Sequence, residues 1–254
     1  MRMEKEITGS RIQHELQALG DCAVIIRLGS VIDAETNRIV MNLSHYIEER
    51  PFAGFIECVP SFAALAIHYD PLLVKRSRIS TELQHTSIFE TVCSRLQPFL
   101  AASEQQSDSD KEGKTIEIPV CYGGEHGPDL GFVAALNGLT EEEVIAIHAG
   151  GSYLVYMLGF APGFPYLGGM SDRIAAPRHQ TPRTSIPQGS VGIAGGQTGV
   201  YSVATPGGWQ LIGRTPVALF RPQDAVPSLL KPGDSVRFKP ISSKQYELYV
   251  EGVL

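Results

Sequence analysis

The chain has 254 residues, is 43% hydrophobic and carries a formal net charge of −6. That length allows one large domain or two ordinary ones, and that apolar share excludes wholesale disorder. An acidic balance without lysine-rich runs argues against nucleic acid as the main partner.

Residues 11–20 and 21–28 read as two strands around the turn pair Gly20-Asp21. Asp33 opens an amphipathic helix, DAETNRIVMNLSHYIEER. Its Ile39, Leu43, Tyr46 and Ile47 fall at helical spacing, and Pro51 stops it. GFIECVP and SFAALAIHY follow as strands divided at Pro60-Ser61, and Tyr69-Asp70-Pro71 ends the second. A longer helix is predicted over 80–97, with Leu83, Ile88, Val92 and Leu96 on one face. The order β-β-α-β-β-α predicts a small α+β sandwich over residues 1–100. His14, His45, His68 and His85 are scattered through it and read as surface or satisfied side chains. Residues 101–113, AASEQQSDSDKEG, are polar and charged and read as a linker.

The second predicted domain, 114–254, opens with the alternating strand TIEIPVCY. The turn GGEHGPDL carries Glu125, His126 and Asp129, and Pro128 suits the first turn of a helix over PDLGFVAALNG. Thr140 and Glu143 form a capping box for a second helix, which Gly150-Gly151 ends. From Ser152 the chain reads β to its end. YLVYMLGF is a buried strand and APGFPYL a turn-rich loop. SVGIAGGQTGVYSVATPGGWQLIGRTPVALF is a series of short strands, and LLKPGDSVRFKPI a turn and strand. Many short strands with Gly and Pro at the corners predict a closed barrel.

Residues 150–214 stand apart. They hold 14 of the 26 glycines, the single tryptophan, four arginines and one acid. Tight turns beside guanidinium groups suit a pocket for an anion. A loop-rich barrel with glycines at its turns and arginines in solvent would have the same composition.

The sequence lacks GxxxxGK[ST], GxGxxG, HExxH and GxSxG. ATP chemistry, if any, then needs another fold or another polypeptide. Cys22, Cys58, Cys93 and Cys121 show no CxxC spacing, so no metal site is expected. Without an apolar leader or span, a cytoplasmic protein with reduced thiols is expected.

GFAPGFPYL (159–167), PRHQTPR (177–183), IPQGSVGIAGGQTGVYSVATPGGWQLIGRTP (186–216) and YGGEHGPDL (122–130) carry a resemblance. The chain resembles the family of 5-oxoprolinase B subunits and KipI-type inhibitors of sporulation kinase A, which also contains proteins labelled allophanate hydrolase subunit 1. The resemblance implies an α+β chain: a small N-terminal α+β domain, then a cyclophilin-like β-barrel. It implies a homologous C subunit and an A subunit as partners, ATP as co-substrate, and opening of 5-oxoproline to glutamate. A KipI-type role would instead make a sensor histidine kinase the partner. Prolyl isomerisation is a third reading, by fold analogy alone.

Opening a lactam needs stabilised negative charge and a proton carrier. Arg178, Arg183 and Arg214 are the candidate cations, with Arg183 and Arg214 foremost. Backbone N–H groups around Gly195 in GIAGGQTG could form an anion nest, and Gln188, Gln197 and Thr198 could hydrogen-bond an amide or carboxylate. Glu125, His126 and Asp129 could supply a general base, although Asp129 could equally serve only the helix N-terminus. Tyr166, Tyr201 and Trp209 could wall a flat ring or sit in the barrel core. GFAPGFP suits either a loop over the pocket mouth or a subunit contact.

Overall fold

In the computed structural model the described residues are 14–31, 33–103 and 113–253. The chain divides into two compact units, 1–111 and 112–254.

In the first unit, β1 (Glu15–Ala18), β2 (Ala23–Arg27), β3 (Phe55–Pro60) and β4 (Ala64–Tyr69) form an antiparallel sheet of order β1-β2-β4-β3. α1 (Ala34–Glu49) starts where Asp33 Oδ1 accepts the Thr36 N–H at 2.8 Å. Its Val40, Leu43 and Ile47 meet Val24, Ile26, Leu65 and Ile67 of the sheet, all of them fully buried. The sandwich expected from the alternating pattern is therefore present.

Two helical details differ from expectation. β4 ends at Tyr69 as expected, and Asp70 then accepts N–H bonds from Leu72 and Leu73, so Pro71 also begins a short helix that the sequence did not suggest, α2 (Pro71–Arg76). The helix predicted over 80–97 instead starts after Ser87, which caps it through the Glu90 N–H, and runs as α3 (Ile88–Ser103) into the polar stretch. Leu83 therefore lies outside the helix, 69% exposed.

Arginine is the reason. Arg95 donates Nε and Nη2 to the two carboxylate oxygens of Glu82, each at 2.8 Å, and reaches Ala53 O and the Ser77 carbonyl. This fork pins 77–82 as a loop with one 3-10 turn. The paired Arg95 hydrogen bonds hold the Glu82 carboxyl down at about 2. The stability it contributes is therefore present above the ordinary glutamate range and is lost as pH falls toward that value. Arg95→Lys keeps the charge but not the fork, and is expected to cost about 2 kcal/mol, the scale of one charge-assisted hydrogen bond. Urea unfolding of the first unit checks this.

The second unit is built on β5 (Thr115–Tyr122), α4 (Leu130–Asn137), α5 (Glu141–Gly150), β6 (Tyr153–Leu158), β7 (Pro165–Gly168), β8 (Arg183–Ile186), β9 (Ser190–Ala194) and β10 (Gln197–Val200). β11 (Thr205–Gly207), β12 (Gln210–Arg214), β13 (Ser235–Pro240) and α6 (Ser243–Val250) complete it. Seven strands close a barrel in the order β10-β7-β6-β13-β5-β12-β9, and β8 and β11 pair as a separate ribbon. Only β5 and β13 run parallel among the described barrel pairs, with Thr115 opposite Ser235.

The capping box at Thr140 opens α5 as expected. The loop APGFPYL yields its last residues to β7. The chain does not stay β to its end: Ser242 and Gln245 form a capping box that starts α6.

The barrel interior holds Ile118, Val120, Val155, Val191, Ile193 and Ile212, all fully buried. His148 enters this core from α5 with no exposed surface, stacked on Phe238 at 4.6 Å. Thr198 Oγ1 donates to Gly192 O, so it accepts from His148 Nε2 at 2.9 Å. His148 Nδ1 then accepts from the Tyr122 hydroxyl at 2.8 Å. One neutral tautomer satisfies every group.

Candidate functional site

A second, smaller core lies on the outer face of the barrel under the β8–β11 ribbon, built from Phe164, Ile186, Ala194, Tyr201, Trp209 and Leu211. Trp209 lies against the glycines of β9 and β10. A Cβ at Gly192 would approach Trp209 Cβ to 3.0 Å, and one at Gly199 would approach Trp209 Cζ3 to 3.1 Å. Phe164 meets the indole edge-on, with centroids 5.5 Å apart and planes at 90°. The glycines of GIAGGQTG thus make room for a ring.

Beside this core stands a charged cluster. Asp129 precedes α4 at the N-cap position, yet its side chain makes no capping hydrogen bond. It turns instead to β12. Its Oδ2 accepts the Leu211 N–H at 2.6 Å, while its own N–H donates to Leu211 O at 2.9 Å. Arg183 Nη2 donates to Asp129 Oδ1 at 2.8 Å. His179 Nε2 lies 3.3 Å from Asp129 Oδ2 and 2.8 Å from Arg183 Nη1.

The segment bearing these groups is pinned in three places. Ala176 exchanges hydrogen bonds with Gly195, Gln210 Nε2 donates to Pro177 O at 2.8 Å, and the His179 N–H donates to Gly208 O at 2.7 Å. Arg183 then opens β8 opposite Gly207 of β11. Gly207 is required there, because a Cβ would run into the Tyr201 hydroxyl and Ile186.

The electrostatics follow from the geometry. Burial alone would raise the Asp129 pKa, but hydrogen bonds from Arg183 and the Leu211 N–H, with the Arg183 charge, outweigh it and hold the carboxyl below its usual value. Asp129 is thus an anion at neutral pH. Burial raises the Tyr201 hydroxyl, and Arg178 and Arg183 both pull it back, so the two guanidinium groups stand near one phenol. Arg178 lies over the Trp209 ring at 5.9 Å.

Arg183 has donors only, so at 2.8 Å His179 Nε2 is the acceptor and the neutral ring carries its proton on Nδ1. Protonating Nε2 makes the Arg183 contact repulsive and gives Asp129 Oδ2 a hydrogen bond. The ring is therefore poised between two partners, one for each protonation state.

The candidates from the sequence fall into separate places. Asp129, Arg178, Arg183, Tyr201 and Trp209 gather with His179. Glu125, His126 and Arg214 lie around Tyr246 of α6: the His126 ring is 4.3 Å from the Tyr246 ring, and Arg214 and Glu125 act on its hydroxyl. Arg214 Nε donates to Gln188 O. Thr198 lies in the barrel core. Gly195 gives its N–H to Ala176 O at 2.7 Å, and Gln197 starts β10 with a buried Nε2 that has no partner among the described residues. Tyr166 packs at the edge of the Trp209 core.

His179 escaped the sequence reading. PRHQTPR drew attention for its arginines, and Asp129 lies 50 residues away from the histidine.

The 410 Å³ depression at the GFAPGFP loop is lined by Leu158, Phe160, Pro162, Phe220 and Ser228 and shares none of these side chains. Polar chemistry therefore favours the Asp129 cluster as the site. Among the described residues no group of three or more His, Cys, Asp or Glu could hold a metal ion, and no helix is long and apolar enough to cross a membrane.

Residues 14–230 match the family model described as carboxyltransferase domain, subdomain C and D. The chain is 54% identical to the 5-oxoprolinase B subunit of Bacillus subtilis over 240 residues, covering 94% of this chain and 98% of that protein. It is 40% identical to the protein of the same name from Escherichia coli O157:H7, covering 87% of this chain and 94% of that one. The solved structure of TTHA0988 is similar at a TM-score of 0.71 and 35% identity, over 87% of this chain but only 40% of the other.

Proposed function

The chain belongs to the carboxyltransferase-domain family, subdomains C and D, and on that footing we propose that it is the B subunit of an ATP-dependent 5-oxoprolinase. It works with a homologous C subunit and a lactam-hydrolase A subunit to open 5-oxo-L-proline to L-glutamate. The observation that carries this reading is Asp129, His179 and Arg183 clustered beside Arg178 and Trp209. A proton carrier next to two guanidinium groups suits a planar cyclic amide that bears a carboxylate.

In this reading Arg178 and Arg183 take the substrate carboxylate, and the Trp209 side of the site lies against the flat ring. Arg183 leaves His179 as it engages the anion. His179 Nε2 then accepts the proton released by the attacking water, and Asp129 stabilises the imidazolium. The same proton returns to the lactam nitrogen as the C–N bond breaks, and a second water then hydrolyses the resulting acyl phosphate to glutamate and inorganic phosphate. Asp129 itself stays ionised, because Arg183 and the Leu211 N–H already donate to it.

The glycine-rich stretch of the described residues is otherwise engaged. It lacks the phosphate-loop glycine motifs, Gly192 and Gly199 face Trp209, and the Gly195 N–H is bonded to Ala176. ATP is assigned to the partner subunits, where it activates the amide carbonyl by phosphorylation. Four cysteines that are all free thiols suit a cytoplasmic setting.

The test is reconstitution. With cognate A and C subunits, ATP and 5-oxo-L-proline, the chain is expected to support glutamate formation that neither it nor the A and C pair supports alone. A complete mixture that forms no glutamate would defeat the proposal.

A further inference from the structure

The segment 176–183 carries Arg178, His179 and Arg183, and its hold on the barrel is uneven. Two of its three pins are backbone bonds, Ala176 with Gly195 and the His179 N–H with Gly208 O, and most residues could supply them. The third needs one particular side chain. Gln210 Nε2 donates to Pro177 O at 2.8 Å, immediately before Arg178. Proline has no N–H, so its carbonyl is the only polar group it offers to the barrel.

The other half of the Gln210 amide is unsatisfied. Gln210 is 3% exposed, and its Oε1 is buried with no hydrogen-bond partner among the described residues. Turning the amide round is no cure, because Pro177 O only accepts and has to face the NH2 group. A buried acceptor without a donor destabilises a fold. Ile193, opposite Gln210 on β9, is fully buried in the barrel core, so the surroundings suit an apolar side chain. Methionine has similar length and no acceptor to leave unmet. Stability alone gives no reason for glutamine here.

The neighbours of Gln210 supply one. Trp209 and Leu211 face the outer core, so Gln210 between them faces the opposite side of β12. Three consecutive residues of one strand thus set three parts of the site. The Trp209 ring lies under Arg178 at 5.9 Å, Gln210 holds Pro177, and the Leu211 N–H holds Asp129 at 2.6 Å. A ligand on the Trp209 side does not touch Gln210.

We propose that Gln210 is a positioning residue: its amide clamps Pro177 and so sets Arg178 and His179 against Trp209 and Asp129, at the expense of stability. The reaction it serves rests on the functional reading above; the clamp does not.

The test uses the full chain as Gln210→Met and Gln210→Glu, alone and in the reconstituted mixture with the A and C subunits. In Gln210→Met, hydrogen exchange at the His179 amide is expected to quicken at least about 10-fold as the segment loosens. Thermal unfolding is expected at or above the wild-type temperature. In intact complexes kcat/KM should fall about 10-fold to 100-fold, the scale of an ångström of misplacement. Both kcat and KM should change, because the segment bears the proton carrier and a cation for the carboxylate. Gln210→Glu separates the donor from the shape. Burial favours the protonated carboxyl, which can donate to Pro177 O as the amide does. Its activity is expected to approach wild type at the acid end and to fall as the carboxyl ionises, a step that wild type and Gln210→Met lack. Wild-type kcat and KM in Gln210→Met, whatever its stability, would overturn the proposal. So would unchanged exchange at His179, or a loss in Gln210→Glu that is independent of pH. If the wild-type mixture forms no glutamate while exchange at His179 still quickens in Gln210→Met, the functional reading falls and the clamp stands.

Discussion

The His179→Ala variant, assembled with its partner subunits, is expected to open 5-oxo-L-proline about 100-fold to 10,000-fold more slowly than the wild type. That is the range one positioned acid–base group contributes. The loss should fall on kcat more than on KM, because the imidazole is assigned to the proton and the guanidinium groups to the carboxylate. Its side chain is 31% exposed and fills no core, and its backbone bond to Gly208 survives the change. Thermal unfolding should therefore move by a few degrees at most. Steady-state kinetics of the reconstituted complex provide the check. An unchanged kcat would remove His179 from the chemistry, and a rise in KM alone would make it a binding group.

His148 is expected to show the largest effect on stability. Its ring is fully buried and bonded at both nitrogens, so His148→Ala opens a cavity and strands the Tyr122 hydroxyl. The cavity and the Tyr122 hydroxyl left without its acceptor, while Thr198 keeps its bond to Gly192 O, should together cost roughly 3–5 kcal/mol, enough to threaten folding. Tyr122→Phe removes only the Nδ1 bond and should cost about 1–2 kcal/mol, which keeps the claim measurable.

The same burial gives a signature in pH. Burial pushes the His148 pKa down to about 3, against an ordinary 6.5. The unfolded chain therefore gains a proton below about 6.5 that the folded barrel refuses until about 3. Stability is complete above that window and is lost as pH falls through it, with a slope that approaches about 1.4 kcal/mol per pH unit. The slope between about pH 6 and 5 is the informative part, since carboxylates such as Glu82 act lower. Denaturant unfolding of the second unit at several pH values should show it. A flat profile there would mean that the ring is protonated inside the barrel.

Local signals in the sequence were readable where chemistry is local. Asp33, Thr140 and the Gly150-Gly151 pair place helix ends because caps and breakers act within one turn, whereas Pro128, expected in the first turn of α4, lies in the turn before its Asp129 cap position. Ser242 and Gln245 carried the same kind of signal for α6, hidden by a run of predicted strands. Leu83 misled because, five residues before Ile88 and nine before Val92, it lies off their face of a helix, and the Arg95–Glu82 fork that holds the segment as a loop is a contact across 13 residues.

Long-range pairs were not readable at all. Nothing near Thr198 says that its partner is His148, so a core hydroxyl read as a ligand contact. Nothing near Asp129 says that its carboxylate skips the helix end and reaches Arg183 and His179. The glycines of β9 and β10 read as a nest for an anion, because only the fold reveals that Trp209 occupies the space above them.

The account stands most directly on glutamate release by the three-subunit mixture with this chain present as wild type, as Asp129→Asn or as Arg183→Ala, with assembly verified by light scattering. It predicts ATP-dependent release with the wild type and about a 100-fold loss or more with each variant in intact complexes. Full release with either variant, or equal release when the chain is omitted, would contradict it.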